Sequence, residues 1–278
     1  MIRRLLVRVS SLLVVVALAA AVLAWSAQDS PASAATCTAS AGTTAAPRGN
    51  ITAWPGWRQI FVDDFNRCDL GSAWGKYSGQ PGGNPNSWWD PSQVSVGDGK
   101  LRLGSTLQNG RWLTGGVSNH TVFQQYGKWE MRFRVDKSDE VSFHLLLWPK
   151  NEVWPPEIDF LESVDGTRAT ASAAVHYRNA NGSQGRVMQG INGDFSRWNV
   201  VGVEWGPGIV RMTMNGKIWS EWSDARVPAT PMWLGVQLEA GACQRIAEWN
   251  LGTTCPRAGT PSNAAMEVDW VTVYAPGW

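Results

Sequence analysis

Three carboxylates stand within six positions of the run WPPEIDFLES, residues 154–163: Glu157, Asp159 and Glu162. Isolated charges on a buried sheet face are costly, so this face either meets solvent or does chemistry. Two glutamates and an aspartate suit the breaking of a glycosidic bond. One carboxylic acid protonates the leaving oxygen while a second carboxylate attacks the sugar carbon, from about 5–5.5 Å away in the retaining case. Three clustered acids cannot all ionise freely, so at least one is expected to hold its proton above the usual carboxylate range, as a general acid near neutral pH requires. The bland alternative is a solvated strand face whose acids pair with Lys or Arg, and the hexamer alone does not decide between the two.

The apolar residues between the acids make the run strand-like. On a strand Glu157 and Asp159 point the same way, and so does residue 161, but that residue is Leu161. One extra residue between Asp159 and Glu162, a β-bulge, would return Glu162 to the acidic face. Four strand steps span about 13 Å, a gap that two inward-leaning glutamates can narrow.

The elements that must hold this strand are strands as well. Short apolar runs broken by Gly, Pro, Asn and Asp occupy 59–65, 93–97, 100–106, 127–136, 141–149, 157–163, 169–178, 198–206, 208–217, 232–241 and 266–274. Several alternate cleanly, with Trp129, Met131 and Phe133 on one face and Glu130, Arg132 and Arg134 on the other. Asp98-Gly99 and Asn215-Gly216 are hairpin turn dipeptides. No long window shows helical periodicity and no repeat recurs at a fixed period. The expectation is an all-β sandwich or jelly roll of two antiparallel sheets. The Gly- and Pro-rich loop at 71–91 carries Trp74, Trp88 and Trp89, candidates for a binding rim or for rings tucked onto the sheet.

Composition narrows the partner. Arg3, Arg4 and Arg8 precede an uncharged apolar run at 12–25, too short for a span of about 20 residues. With Ala32-Ser33-Ala34 after it, the segment reads as a secretory signal peptide over residues 1–35. A short polar extension (36–50) and a single domain (51–278) follow. Loss of the leader takes the formal net charge from +1 to slightly negative. Such a surface offers no counterion-release force for nucleic acid and no pull toward anionic membranes. The chain holds 18 Trp, all but Trp25 beyond the leader. Core packing accounts for most, while flat amphipathic rings are also what neutral sugars stack on. Cys37, Cys68, Cys243 and Cys255 in an exported chain suggest two disulfides; proximity favours Cys243–Cys255 with Cys37–Cys68, and three connectivities exist.

In this context WPPEIDFLES resembles the active-site strand of glycoside hydrolase family 16, whose signature is E-x-D-x-x-E or E-x-D-x-E. The spacing is similar to the bulged, laminarinase-like form. IFVDDFN (60–66) resembles the family's opening strand, YGKWEMRFRV (126–135) the strand before the active site, FSRWNVVGVEWGPGIVRMTMNGK (195–217) the stretch following the catalytic strand, and MEVDWVTVY (266–274) the last strand. The resemblance implies a jelly roll with a concave substrate cleft, Glu157 as nucleophile, Asp159 as its assistant and Glu162 as general acid/base. It also implies that His176 lies near the acid/base, and that Asp269 is a candidate ligand for a structural calcium, no other cofactor being required. One segment departs from the family pattern: in SFHLLLWP (142–149), His144 and Leu146 occupy positions often filled by Ala and Trp. Trp148, Trp154 and Trp89 are then the candidate sugar platforms, and Gln237 a candidate hydroxyl contact. The expected activity is that of a secreted, monomeric, retaining endo-β-glycanase on β-1,3- or β-1,3/1,4-glucan. Rivals are a hydrolase of another extracellular polysaccharide, a non-catalytic glucan-binding protein on the same sandwich, and a polysaccharide lyase, which would want Arg, Lys or Tyr at the cleaved bond.

Overall fold

A computed structural model describes residues 37, 39, 42, 44–51, 56–252 and 255–277. The expected leader at 1–35 lies outside the described residues. In chain order the strands are β1 (Trp57–Asp63), β2 (Gly75–Lys76), β3 (Ser87–Trp89), β4 (Val94–Gly97), β5 (Lys100–Gln108), β6 (Arg111–Thr114), β7 (Gly116–Gln124), β8 (Gly127–Val135) and β9 (Val141–Pro149). They continue with β10 (Glu157–Ser163), β11 (Thr170–Arg178), β12 (Gln184–Asn192), β13 (Asn199–Gly206), β14 (Ile209–Met214), β15 (Lys217–Ser223), β16 (Met232–Ala240) and β17 (Asn263–Pro276), with a short helix α1 (Ala242–Glu248) after β16.

These strands form two sheets, ten-stranded and seven-stranded among the described residues. The larger runs β15-β14-β13-β8-β17-β5-β6-β3, with β1 beside β17 and β4 beside β5; the smaller runs β12-β11-β10-β9-β16-β7-β2. The expected all-β jelly-roll sandwich is the observed architecture, antiparallel except where β3 meets β6 in parallel. The alternation in β8 does what its period demands. Trp129, Met131 and Phe133 are buried between the sheets, while Arg134 on the other face pairs with Glu267. From the opposite sheet Phe143 meets Phe133 at a centroid distance of 5.5 Å. Each such ring removed from water contributes roughly 1.5–3 kcal/mol, and it is this filled layer that fixes β9 and β10 in place.

Seven elements escaped the sequence reading: β2, β3, β6, β7, β12, β15 and α1. Strand β12 is an edge strand whose residues are mostly exposed, so no buried face leaves a mark in the pattern. Helix α1 has seven residues, too few for a helical period to show. The loop at 71–91 divides into β2 and β3, and its three tryptophans part ways. Trp74 is core, its Nε1 donating to Asp63 Oδ2 at 2.8 Å. Trp88 lies under the Arg111 guanidinium. Trp89 faces the groove described below. The disulfides are Cys37–Cys68 and Cys243–Cys255, the pairing that proximity favours. The first ties Cys37 of the expected extension to the sandwich, on which Ala46 is also buried and the Thr44 N–H donates to Asp269. Among the described residues no helix is long and apolar enough to cross a membrane.

Candidate active site

Strand β10 carries the acids, and its register shows how. Against β9, Asp159 pairs with Leu146 and Leu161 with Leu145, so Phe160 is the extra residue of a β-bulge. Against β11, Asp159 pairs with Ala174 and Glu162 with Ser172, three steps opposing two. Ile158, Phe160 and Leu161 all enter the core. Glu157, Asp159 and Glu162 all line one groove of about 770 Å³ on the seven-stranded sheet. Two consecutive apolar residues can be buried without turning Glu162 away only because the bulge absorbs one of them.

Neighbouring strands supply each acid with its partners. Trp154 Nε1 donates to Glu157 Oε2 at 2.8 Å. Its ring lies 5.5 Å from the ring of His176, which sits opposite Glu157 on β11. His176 Nε2 is 3.2 Å from Asp159 Oδ2. Glu162 lies opposite His144 on β9, with 3.1 Å between its Oε2 and His144 Nδ1. Ser142 Oγ is 2.9 Å from His144 Nε2.

Burial and mutual repulsion set the charges. Burial, then the neighbouring Asp159, pushes the Glu157 carboxyl well above the usual carboxylate range. Burial and then the charge of Glu162 push Asp159 up as well, against the opposing pull of its hydrogen bond with Glu157. A hydrogen bond between two carboxyls requires a proton on one of them. Held on Asp159, that proton leaves Glu157 an anion steadied by Asp159 and by the Trp154 N–H, a suitable state for a nucleophile. Burial also lifts Glu162, but the His144 hydrogen bond and the charges of His144, His176 and Arg245 outweigh it, and the net shift is downward. The two acids expected to act in turn thus have environments that push them apart, in the opposite order to that of a lone general acid. Burial lowers the His176 imidazole.

The walls of the groove are aromatic. Trp148, Trp154 and Trp89 line it together with His176 and Gln237, while Trp74 and Trp88, the other rim candidates, lie elsewhere. Trp148 is oriented by its Nε1 donating to Glu152 Oε2 at 2.8 Å. Trp89 donates to the Leu238 carbonyl and packs on Tyr77 at 4.8 Å between centroids. Gln237 Nε2 is committed to Glu239 Oε1 at 2.8 Å. Glu239 is buried and also takes Asn84 Nδ2 and Arg245. Sequence reasoning did not find Tyr77, Arg245 or Trp249, all groove-lining. Arg245 and Trp249 come from α1 and its end, which no periodicity announces. His144 was visible only as a departure from the family pattern.

Ligand atoms of Glu157, Asp159 and His176 fall within 4.8 Å of one another. The hydrogen bond between the two carboxyls and the contact of His176 with Asp159 account for that closeness. Asp269, the candidate calcium ligand, is fully buried on the other sheet, paired with Arg132 and accepting from the Thr44 N–H. A guanidinium already supplies the positive charge, so these residues do not fit a calcium ion.

The sandwich has the jelly-roll fold of solved glycoside hydrolase family 16 endo-glucanases and laminarinases. The chain superposes on the endo-β-1,3-glucanase of Pyrococcus furiosus with a TM-score of 0.67 at 20% identity, covering 82% of this chain and 98% of that one. It superposes on a family 16 endo-glucanase from Bacteroides ovatus with a TM-score of 0.64 at 18% identity, covering 77% and 99%. In sequence it is 28% identical over 176 residues to the endo-1,3-1,4-beta-glycanase ExsH of Rhizobium meliloti (strain 1021), covering 59% of this chain. The match spans 34% of that relative's length. No family model matches the chain.

Proposed function

We propose that the chain is a secreted endo-β-glycanase that cleaves β-1,3- or mixed β-1,3/1,4-glucan with retention of configuration. The observation that carries this reading is the bulge at Phe160, which sets Glu157, Asp159 and Glu162 side by side on the floor of an aromatic-walled groove. Glu157 attacks the anomeric carbon. Glu162 protonates the departing oxygen and then, as a carboxylate, takes the proton of the incoming water. Asp159 keeps a proton directed at Glu157, and Trp154 fixes that carboxylate through its indole N–H. Trp148, Trp154 and Trp89 offer stacking faces for successive sugars, and the basic, then apolar, leader at the N-terminus supports export. A binding protein on the same sandwich would have no need for two catalytic-type glutamates at one site. The likenesses to glucan-acting enzymes support a glucan substrate, and the replacement of the usual Ala and Trp by His144 and Leu146 bears on which linkage fits.

Reducing-end release from laminarin and lichenan tests the reading. Wild type should release sugar, and Glu157→Gln and Glu162→Gln should each lose about 10³-fold or more, the scale of removing an essential acid, base or nucleophile. With azide and an activated aryl glycoside, Glu157→Ala should yield the α-glycosyl azide and Glu162→Ala the β-anomer. Background-level release by wild type and Glu157→Gln alike would leave a binding protein as the better account.

A further inference from the structure

Glu162 does not stand alone as an acid. His144, directly opposite it in the β9–β10 ladder, is 5% exposed and holds two contacts, Nδ1 to Glu162 Oε2 and Nε2 to Ser142 Oγ. The Ser142 hydroxyl also lies 3.1 Å from the Glu239 backbone carbonyl. A carbonyl only accepts, so the single hydroxyl proton is spent there and Ser142 must accept from His144. His144 therefore carries its proton on Nε2, and when neutral it presents a bare Nδ1 to Glu162. The contact between Nδ1 and Oε2 is a hydrogen bond only if one further proton lies between them, on the carboxyl or on the ring. That proton belongs to the pair and not to either residue.

Charged groups of both signs surround this arrangement. From β10 itself Asp159 faces the pair, and from β11 His176 does. Arg186 comes from β12, opposite His176. From β16, Gln237 lies opposite His144 in the ladder and Glu239 beside it, its carboxylate already bound by Asn84, Gln237 and Arg245. Arg245 and Glu248 approach from α1. Among the described residues, Glu162 is the acid hydrogen-bonded to the imidazole.

We propose, on the glycanase reading above, that His144, oriented by Ser142, is a positioning residue that stores the acid/base proton of the active site. In the resting pair the proton lies between His144 Nδ1 and Glu162 Oε2, 3.1 Å apart. As the glycosidic bond lengthens, the proton moves fully to Glu162 and on to the leaving oxygen, and His144 is left neutral. In the second step Glu162 takes the proton of the attacking water while its oxygen bonds the anomeric carbon and the bond from that carbon to Glu157 breaks, releasing the Glu157 carboxylate, and the proton returns to the pair. No atom or electron is gained or lost over the cycle. The device explains how a carboxyl whose surroundings favour its ionised form still serves as an acid.

The test compares wild type, His144→Asn, His144→Ala and Ser142→Ala on laminarin and on a 2,4-dinitrophenyl β-glycoside, whose leaving group needs no proton. Asn keeps a polar atom near the Nδ1 position but does not titrate. Both His144 variants should lose about 10–100-fold in kcat/KM on laminarin, within the range of general acid catalysis, and less than about threefold on the aryl glycoside. The alkaline limb of the laminarin profile should move to lower pH by about one unit, because the histidine no longer retains the proton. Ser142→Ala should fall between. Equal losses on both substrates, or an unmoved alkaline limb, would show that His144 only packs. A second readout does not depend on activity: the histidine ring signals of labelled protein, by NMR. Wild-type His144 should remain cationic to higher pH than it does in Glu162→Gln. If wild type proves inactive on all glycosides while that difference is present, the glycanase reading fails and the shared proton stands. If the two proteins titrate alike, the shared proton is refuted.

Discussion

Phe160 separates the two tasks of the bulge, filling the core and aiming Glu162. Its ring is 1% exposed among the core residues. Phe160→Ala removes the ring and leaves the residue count of β10 intact. Truncating a buried Phe costs about 3–5 kcal/mol. At about 2–4 °C per kcal/mol for a domain of this size, the melting temperature should fall by roughly 6–20 °C. The acids remain on the groove face, so kcat/KM on laminarin, measured well below the new midpoint, should stay within about tenfold of wild type. Deleting Phe160 is the sharper variant. With the bulge residue gone, strict alternation still places Glu157, Asp159 and Glu162 on one side, because the deleted residue is the one that β9 leaves unpaired. The strand should again lose several kcal/mol of packing, yet keep at least tenfold more activity than Glu162→Gln. Calorimetry and reducing-sugar release on the same samples check both numbers. A deletion variant that folds cooperatively but is as inactive as Glu162→Gln would refute the claim that strand parity, restored by one extra residue, is what makes the site.

Other expectations follow from the charges. Burial raises the Glu157 and Asp159 carboxyls above their unfolded values of about 3.9–4.3. Between those values and the raised ones the native state holds protons that the unfolded chain has released, so this pair's contribution to stability falls as pH rises through the window. Asp159→Asn should therefore lose less melting temperature than wild type between pH 4.5 and 7.5; a parallel decline would contradict the assigned shift. Trp154→Phe keeps a ring beside His176 but removes the N–H that lowers the Glu157 carboxyl. The acid limb of kcat/KM should move to higher pH by up to about one unit, and an unchanged limb would mean that the contact does not hold in solution.

The acid spacing, the period-two strands and the turn dipeptides were enough to identify an all-β sandwich and to single out Glu157, Asp159 and Glu162. These signals are local: a buried face leaves alternation in the chain, and a bulge leaves a parity error that only one inserted residue repairs. The same locality explains what was missed. Strand β12 buries too little to pattern its sequence, and α1 is shorter than its own period would need. Asp269 looked like a cation ligand because nothing in the sequence brings Arg132 from β8 to its carboxylate.

What the sequence alone determined was therefore which residues could do the chemistry and which face of one strand must carry them. Tertiary structure alone decided their protonation. His144 lies 18 positions before Glu162 and Glu239 lies 97 after Ser142, and only the sheet ladder makes them neighbours. A carboxyl's charge depends on burial and on donors a few ångströms away in space, quantities that distance along the chain does not encode.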